Sequence, residues 1–264
     1  MSDTVKRRDF LAASAAAALA SAAGAQAPAQ GAPAQREYYE LREIELHRGP
    51  MQKRADDYLR DALIPALGRL GCGPIGIFNV MVGPQSPTVY VLIPHPSLDA
   101  LINLRTRLAT DADYQRVGAA FINATPADPS YVDRRNTLLH AFELMPRVEP
   151  TAGGERIFEL RTYRSHSEHA AAKKIEMFNK GEIAIFRRAG LQPVFFGQRL
   201  IGDHLPSLTY MLTYPDLATR EKNWNTFRND PEWKKLSTTP GYTDTEIVAS
   251  ITNVLLAPAA YSQV

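Results

Sequence analysis

Tyr39-Glu40-Leu41-Arg42 returns further along the chain as Phe158-Glu159-Leu160-Arg161, an offset of 119 taken from Leu41 to Leu160. At that offset Ile64 meets Ile183, Leu67 meets Phe186, Gly71 meets Gly190, Pro74 meets Pro193, and Asp111-Ala-Asp-Tyr114 meets Asp230-Pro-Glu-Trp233. Only the hairpin strays, by one residue, setting Val89-Tyr90-Val91-Leu92 against Thr209-Tyr210-Met211-Leu212. One register held over such a length marks a folded unit written twice in tandem. The units read as residues 36–148 and 155–262, with a Pro- and Gly-rich boundary around residues 146–155, the composition in which domain boundaries fall.

Alternation at period two predicts a first strand at residues 38–45 and 157–163. Helical spacing follows, through Tyr58, Leu59, Leu63 and Leu67 in one unit and Ile175, Phe178, Ile183 and Phe186 in the other. Ser165-x-x-Glu168 reads as a capping box, and Gly71 and Gly190 as the residues that close these helices. Two strands come next, 75–82 with 88–93 and 194–201 with 209–214, joined through Gly83-Pro84 and Gly202-Asp203. Ser97 and Asp216 offer N-cap side chains to a second helix, and the last strands are expected near 137–144 and 246–256. The order β-α-β-β-α-β, of α+β class, is that of the ferredoxin-like unit. With both helices on one side, each sheet leaves its other face bare. Two such faces packed together, or each against a second chain, make an α+β barrel.

The first 25 residues differ from the rest. Lys6-Arg7-Arg8-Asp9-Phe10-Leu11, an Ala-rich weakly apolar run and Ala23-Gly24-Ala25 stand in the order of a twin-arginine signal peptide with its cleavage site. Residues 26–35, rich in Ala, Pro and Gln, read as a flexible tether. The expectation is a periplasmic or secreted protein with no stable membrane insertion after cleavage. Losing three basic and two acidic leader residues from totals of 30 and 28 leaves 27 and 26. So even a balance gives no electrostatic footprint for nucleic acid. Cys72 is the one cysteine, so there is no intrachain disulfide. No P-loop, GxGxxG or nucleophile elbow appears, which disfavours nucleotide-dependent chemistry and serine hydrolysis.

Alternation puts Glu40 and Arg42 on one strand face with Ile44, and Glu159, Arg161 and Tyr163 on the matching face of the second unit. If Leu41 and Leu160 pack on helices, the charged set faces the barrel interior. Arg42 and Arg161 then hold an anionic or carbonyl-bearing ligand, with Tyr163 or a glutamate moving a proton. The competing reading is Glu–Arg pairs that line the barrel and do no chemistry. His47 and His166, also 119 apart, read either as a haem ligand or general base, or as solvated residues at a helix start. His166-x-x-His169 has helical spacing but no third ligand, so no metal site is assigned. Trp224, Phe227 and Trp233 read as anchors of a helix to its sheet.

The paired Glu-Leu-Arg strands, Tyr214-Pro-Asp-Leu217, and Trp224-x-x-Phe227-x-x-Asp230-Pro-Glu-Trp233 resemble the NIPSNAP family, part of the dimeric α+β barrel superfamily. The resemblance covers about residues 36–258 and is stronger in the second unit. The first has Arg105 and Tyr114 where Trp224 and Trp233 stand. The superfamily also holds haem-binding enzymes, cofactor-independent monooxygenases and muconolactone-type isomerases. The resemblance therefore implies a homo-oligomer binding a small organic ligand in a barrel cavity, with oxidoreductase or isomerase chemistry, or else a non-enzymatic binding or interaction scaffold. Haem is a cofactor the superfamily allows and no specific motif here supports.

Overall fold

The computed structural model describes residues 35–151 and 154–264. The leader, and the tether up to residue 34, lie outside the described residues. Gln35–Val264 form one compact unit.

Its first half runs β1 (Tyr38–Glu45), a continuous helical rod of α1 (Pro50–Asp57), a wide π-turn segment (Tyr58–Leu63) and α2 (Ile64–Arg69), then β2 (Gly76–Val82) and β3 (Thr88–His95). Short helices α3 (Leu98–Ile102), α4 (Leu104–Thr110), α5 (Ala112–Val117) and α6 (Ala119–Ile122) lead to β4 (Asp133–Ala141). The second half repeats the plan with β5 (Ile157–Arg164), α7 (Glu168–Met177), a π-turn segment (Phe178–Glu182), α8 (Ile183–Arg188), β6 (Gln192–Ile201) and β7 (Ser207–Tyr214). It ends with α9 (Leu217–Asn229), α10 (Pro231–Ser237), α11 (Asp244–Ile247) and β8 (Ser250–Pro258).

All eight strands join in one closed antiparallel barrel, β1-β3-β2-β8-β5-β7-β6-β4. Each half contributes four neighbouring strands, β4-β1-β3-β2 and β8-β5-β7-β6, and the halves meet edge to edge through β2 with β8 and β4 with β6. Closure leaves no strand edge unpaired. The faces that sequence reasoning leaves bare cover each other within the one chain.

Local chemistry sets the helix ends. Ser97 accepts from the Ala100 N–H at 3.1 Å and Asp216 from the Thr219 N–H at 2.7 Å, as their spacing predicts. Gly71 and Gly190 adopt φ of 73° and 81°. The next residues then bond back, Cys72 to Leu67 and Leu191 to Phe186, in paired Schellman closures. The α7 cap is Ser167, which accepts from Ala170, and not the expected Ser165, whose hydroxyl donates instead to the Ile247 carbonyl at 2.7 Å.

Three further expectations are corrected. The hairpin does not stray: Arg42 pairs with Val91 and Arg161 with Tyr210, so the offset of 119 runs through β3 and β7. Tyr90 and Tyr210, matched by likeness of letters, lie on opposite sheet faces. The last strands shift to Asp133–Ala141 and Ser250–Pro258, because Glu246 caps α11 in a box with Thr243 and so starts a helix there. The third correction concerns which way the opening strands face. Tyr39, Leu41, Phe158 and Leu160 point into the barrel, packed with Phe78, Leu92, Leu139, Phe195, Met211 and Leu256. Glu40, Arg42, Glu159, Arg161 and Tyr163 therefore lie on the outer face, under the helices. An eight-stranded barrel is narrow enough for side chains to fill, and around these residues they do. Ion pairs in so dry a centre would lack the extra donors that buried charge requires, whereas the helix side supplies them.

Candidate functional site

In the second half, Glu159 is fully buried and its carboxylate accepts five hydrogen bonds. Arg161 Nη1 donates at 2.7 Å from two positions along β5. Arg220 of α9 donates through Nη2 at 2.6 Å and Nε at 3.0 Å, Trp224 through its indole at 3.0 Å, and Tyr214 of β7 through its hydroxyl at 3.1 Å. Burial alone would raise the carboxyl's pKa, but the hydrogen bond from Arg220 and the charge of Arg161 outweigh it and hold Glu159 ionised. The spacing of Arg220 and Trp224, one helical turn apart, brings both donors down on the same carboxylate.

Arg161 is the hub of the cluster. Its guanidinium lies 4.5 Å from the centre of the Trp224 ring and 5.5 Å from that of Tyr163, the stacking that suits a planar, weakly hydrated cation. Its Nη2 donates to the Tyr163 hydroxyl at 3.2 Å, and the Tyr210 hydroxyl donates to the same oxygen at 2.9 Å. Arg161 Nε is buried without a partner among the described residues. Tyr163 thus has two donors aimed at its oxygen. Its own proton has no acceptor among the described residues.

Beside Tyr163 sits an ion pair that sequence reasoning missed. Lys174 Nζ donates to Glu182 at 3.0 Å, both side chains almost wholly buried, and lies 5.5 Å from the Tyr163 ring centre. Burial pushes the Glu182 carboxyl up, which the Lys174 ammonium partly offsets. The intervening π turn is what lets positions eight apart meet, since its extra residue shifts the helical phase. A reading at 3.6 residues per turn has no means of pairing them.

The first half carries a simpler version. Arg42 grips Glu40 through two hydrogen bonds of 2.8 and 2.9 Å, and Asn136 donates to it at 2.5 Å. His95, the positional equivalent of Tyr214, stands 3.7 Å away. Burial would raise the Glu40 carboxyl, but the Arg42 charge and the neighbouring His95 hold it down at about 2. Positions 119 before Lys174, Glu182 and Tyr163 are Ala55, Leu63 and Ile44, all apolar. Tyr163, Lys174 and Glu182 therefore have no polar counterparts in the first half.

The structure brings together Glu159, Arg161 and Tyr163, and separately Glu40 and Arg42. His47 and His166 join neither set: both are exposed, at the turns before α1 and α7. Neither lines a cleft of about 350 Å³ bordered by Gln52, Lys53, Asp56, Asn79 and Tyr261. Among the described residues no three His, Cys, Asp or Glu side chains are grouped to hold a metal ion, and no helix is long and apolar enough to cross a membrane.

The profile of the NIPSNAP family matches residues 39–125 and 158–263, both halves of the barrel. The chain belongs to the NIPSNAP family. Solved structures similar to this NIPSNAP chain include a candidate monooxygenase from Lactobacillus acidophilus NCFM, 10% identical, covering 84% of this chain and 94% of its own, with a TM-score of 0.58. A second candidate monooxygenase, from Fusobacterium nucleatum, is 9% identical over 85% of this chain and 93% of its own, at a TM-score of 0.56. An uncharacterized NIPSNAP-like domain protein from Burkholderia xenovorans is 22% identical over 40% of this chain and 88% of its own, at 0.37. At such identities the likeness speaks for the fold alone. No curated protein matches the chain.

Proposed function

We propose that this NIPSNAP protein, exported by the twin-arginine route as two fused ferredoxin-like units, binds a small organic molecule on the outer face of the second-half sheet. The site lies between β5, β7 and helices α7 and α9, and not in the barrel lumen. The observation that carries this reading is the Tyr163 hydroxyl, which accepts from Arg161 and Tyr210 while its own proton is unengaged among the described residues. A tyrosine so placed can exchange a proton with a molecule bound against it, with the Arg161 cation balancing a developing enolate. Removal of a proton from carbon is the opening step of an isomerisation, and equally of an oxidation in which the resulting carbanion reacts with dioxygen.

The test is hydrogen exchange into enolisable carbonyl compounds, with phenylpyruvate as the first probe in deuterated buffer, followed by proton NMR. The full chain should speed loss of the C3 proton signal above the buffer rate, and Tyr163→Phe should lower that enhancement at least tenfold with the fold intact. Exchange at the buffer rate, or an unchanged rate in the variant, overturns the proton-transfer reading. The rival reading, a non-enzymatic scaffold, is favoured by the apolar filling of the barrel and by a Glu159 carboxylate already saturated by the chain's own donors.

A further inference from the structure

The barrel interior changes character along its axis. Around Tyr39, Phe78, Phe158 and Phe195 it is apolar, but at the end where both hairpins turn, the inward positions become Glu43, Tyr90, Thr162, Arg199 and Thr209. The registers fix this: Glu43 and Tyr90 sit two residues beyond Leu41 and Leu92 on the same face, as Thr162 and Thr209 do beyond Leu160 and Met211. Side chains of the second half bond one another there. Arg199 Nη2 donates to the Thr209 hydroxyl at 3.2 Å, and Thr209 bonds Thr162 at 3.0 Å. Arg199 Nη1 reaches the Asp203 carbonyl at 2.6 Å.

Two features of this end are those of a site awaiting a partner. Arg199 lies in no ion pair among the described residues, and its Nε is buried with nothing to donate to. Burial lowers its pKa, opposed by the charges of Asp203 and Glu43. Glu43, the nearest inward acid, is engaged by Arg135 at 2.6 Å. Beside Arg199 stands Ser207: Gly197 pairs with Thr209, so continuing the ladder two residues sets Arg199 opposite Ser207. The Ser207 hydroxyl, 3% exposed and inward, is also without a partner. Buried polar atoms left unpaired cost stability, and here a cationic donor and a hydroxyl are left so side by side.

We infer that the hairpin end of the barrel is a binding site for a small organic carboxylate, gripped by Arg199 and Ser207, with its apolar part toward Met211 and Leu41. A carboxylate matches a guanidinium edge in shape and charge and takes a hydroxyl proton on its second oxygen. Both halves contribute, since Glu43 of β1 and Tyr90 of β3 lie just past β4 from Arg199 and their charges bear on it.

Isothermal titration of the full chain with sodium benzoate at constant ionic strength tests this, with methyl benzoate as the uncharged control. Benzoate should bind saturably and methyl benzoate should not. Arg199→Gln should weaken binding at least tenfold and Ser207→Ala about threefold, while Arg116→Gln, at an exposed position on α5, leaves it unchanged; Arg161→Gln is measured beside them. Thermal unfolding of each variant checks that the fold survives; should Arg199→Gln fail to fold, Ser207→Ala and Arg199→Lys carry the test. No saturable heat, equal affinity in the Arg199 and Ser207 variants, or loss only in Arg161→Gln overturns the inference. The last outcome would move benzoate to the outer-face site instead.

Discussion

The indole N–H of Trp224 meets the carboxylate of Glu159 at 3.0 Å, fastening α9 to the strand that opens the second half. Because Glu159 also holds Arg161 and Arg220, removing it strands two buried or half-buried cations at once. Glu159→Ala is expected to lower stability by about 3–5 kcal/mol, the cost of breaking a buried pair from one side. Urea unfolding monitored by tryptophan fluorescence measures it, and a loss below about 1 kcal/mol would show the network to be energetically idle.

The two halves supply their own control for Lys174 and Glu182. Glu182→Leu alone leaves an ammonium buried among Phe178, Tyr163 and Trp233, and should destabilise by about 3 kcal/mol or more. Lys174→Ala with Glu182→Leu copies Ala55 and Leu63 of the first half, and should restore most of that loss. A double variant as unstable as the single one contradicts the pairing.

Glu40 sets an acid limit. Its folded pKa is about 2 against an ordinary value of 4.5, so the folded state prefers the ionised form. The stabilisation is fully present above pH 4.5 and is lost as pH falls through that value toward 2. It amounts to about 3 kcal/mol at 1.36 kcal/mol per unit. Stability of Glu40→Gln measured between pH 6 and 2.5 should be lower at pH 6 and fall less steeply with acid; parallel curves would remove Glu40 from the account.

Cys72 is buried, and burial raises its thiol pKa. Thiol reagents attack the thiolate, so labelling by Ellman's reagent at pH 8 should be slow in the native protein and complete within minutes in denaturant. Fast native labelling would mean that the Gly71–Gly73 turn opens readily.

The proposed export would rest on Arg7 and Arg8. Replacing both with lysine should leave the precursor in the cytoplasmic fraction of an expressing bacterium, with the leader uncleaved. Unaltered periplasmic recovery would assign the address to another signal.

Much of the architecture was legible because the chain states it twice. The repeated Glu-Leu-Arg strands, the closing glycines and the Ser97 and Asp216 caps are local chemistry, readable one turn at a time. Which face of a strand looks inward is not local. Leu41 and Arg42 alternate equally well in either orientation, and the choice depends on what the helices bring to the other side. Arg220 and Trp224 decide it for Glu159, some sixty residues away in sequence. Lys174 and Glu182 stayed hidden for a different reason, the π turn between them. Glu43, Arg199 and Ser207 are scattered over three strands with no shared spacing, and only barrel closure collects them.

Among the described residues, the seams between β2 and β8 and between β4 and β6 are the strand ladders that join the duplicated parts. A protease cut in residues 149–156 would leave them zipped, so the nicked pieces should stay together. Either piece made alone would present two naked borders, and each border is a ready template for another copy. Duplication in one polypeptide thus converts what would be a concentration-dependent encounter into a built-in match between neighbours.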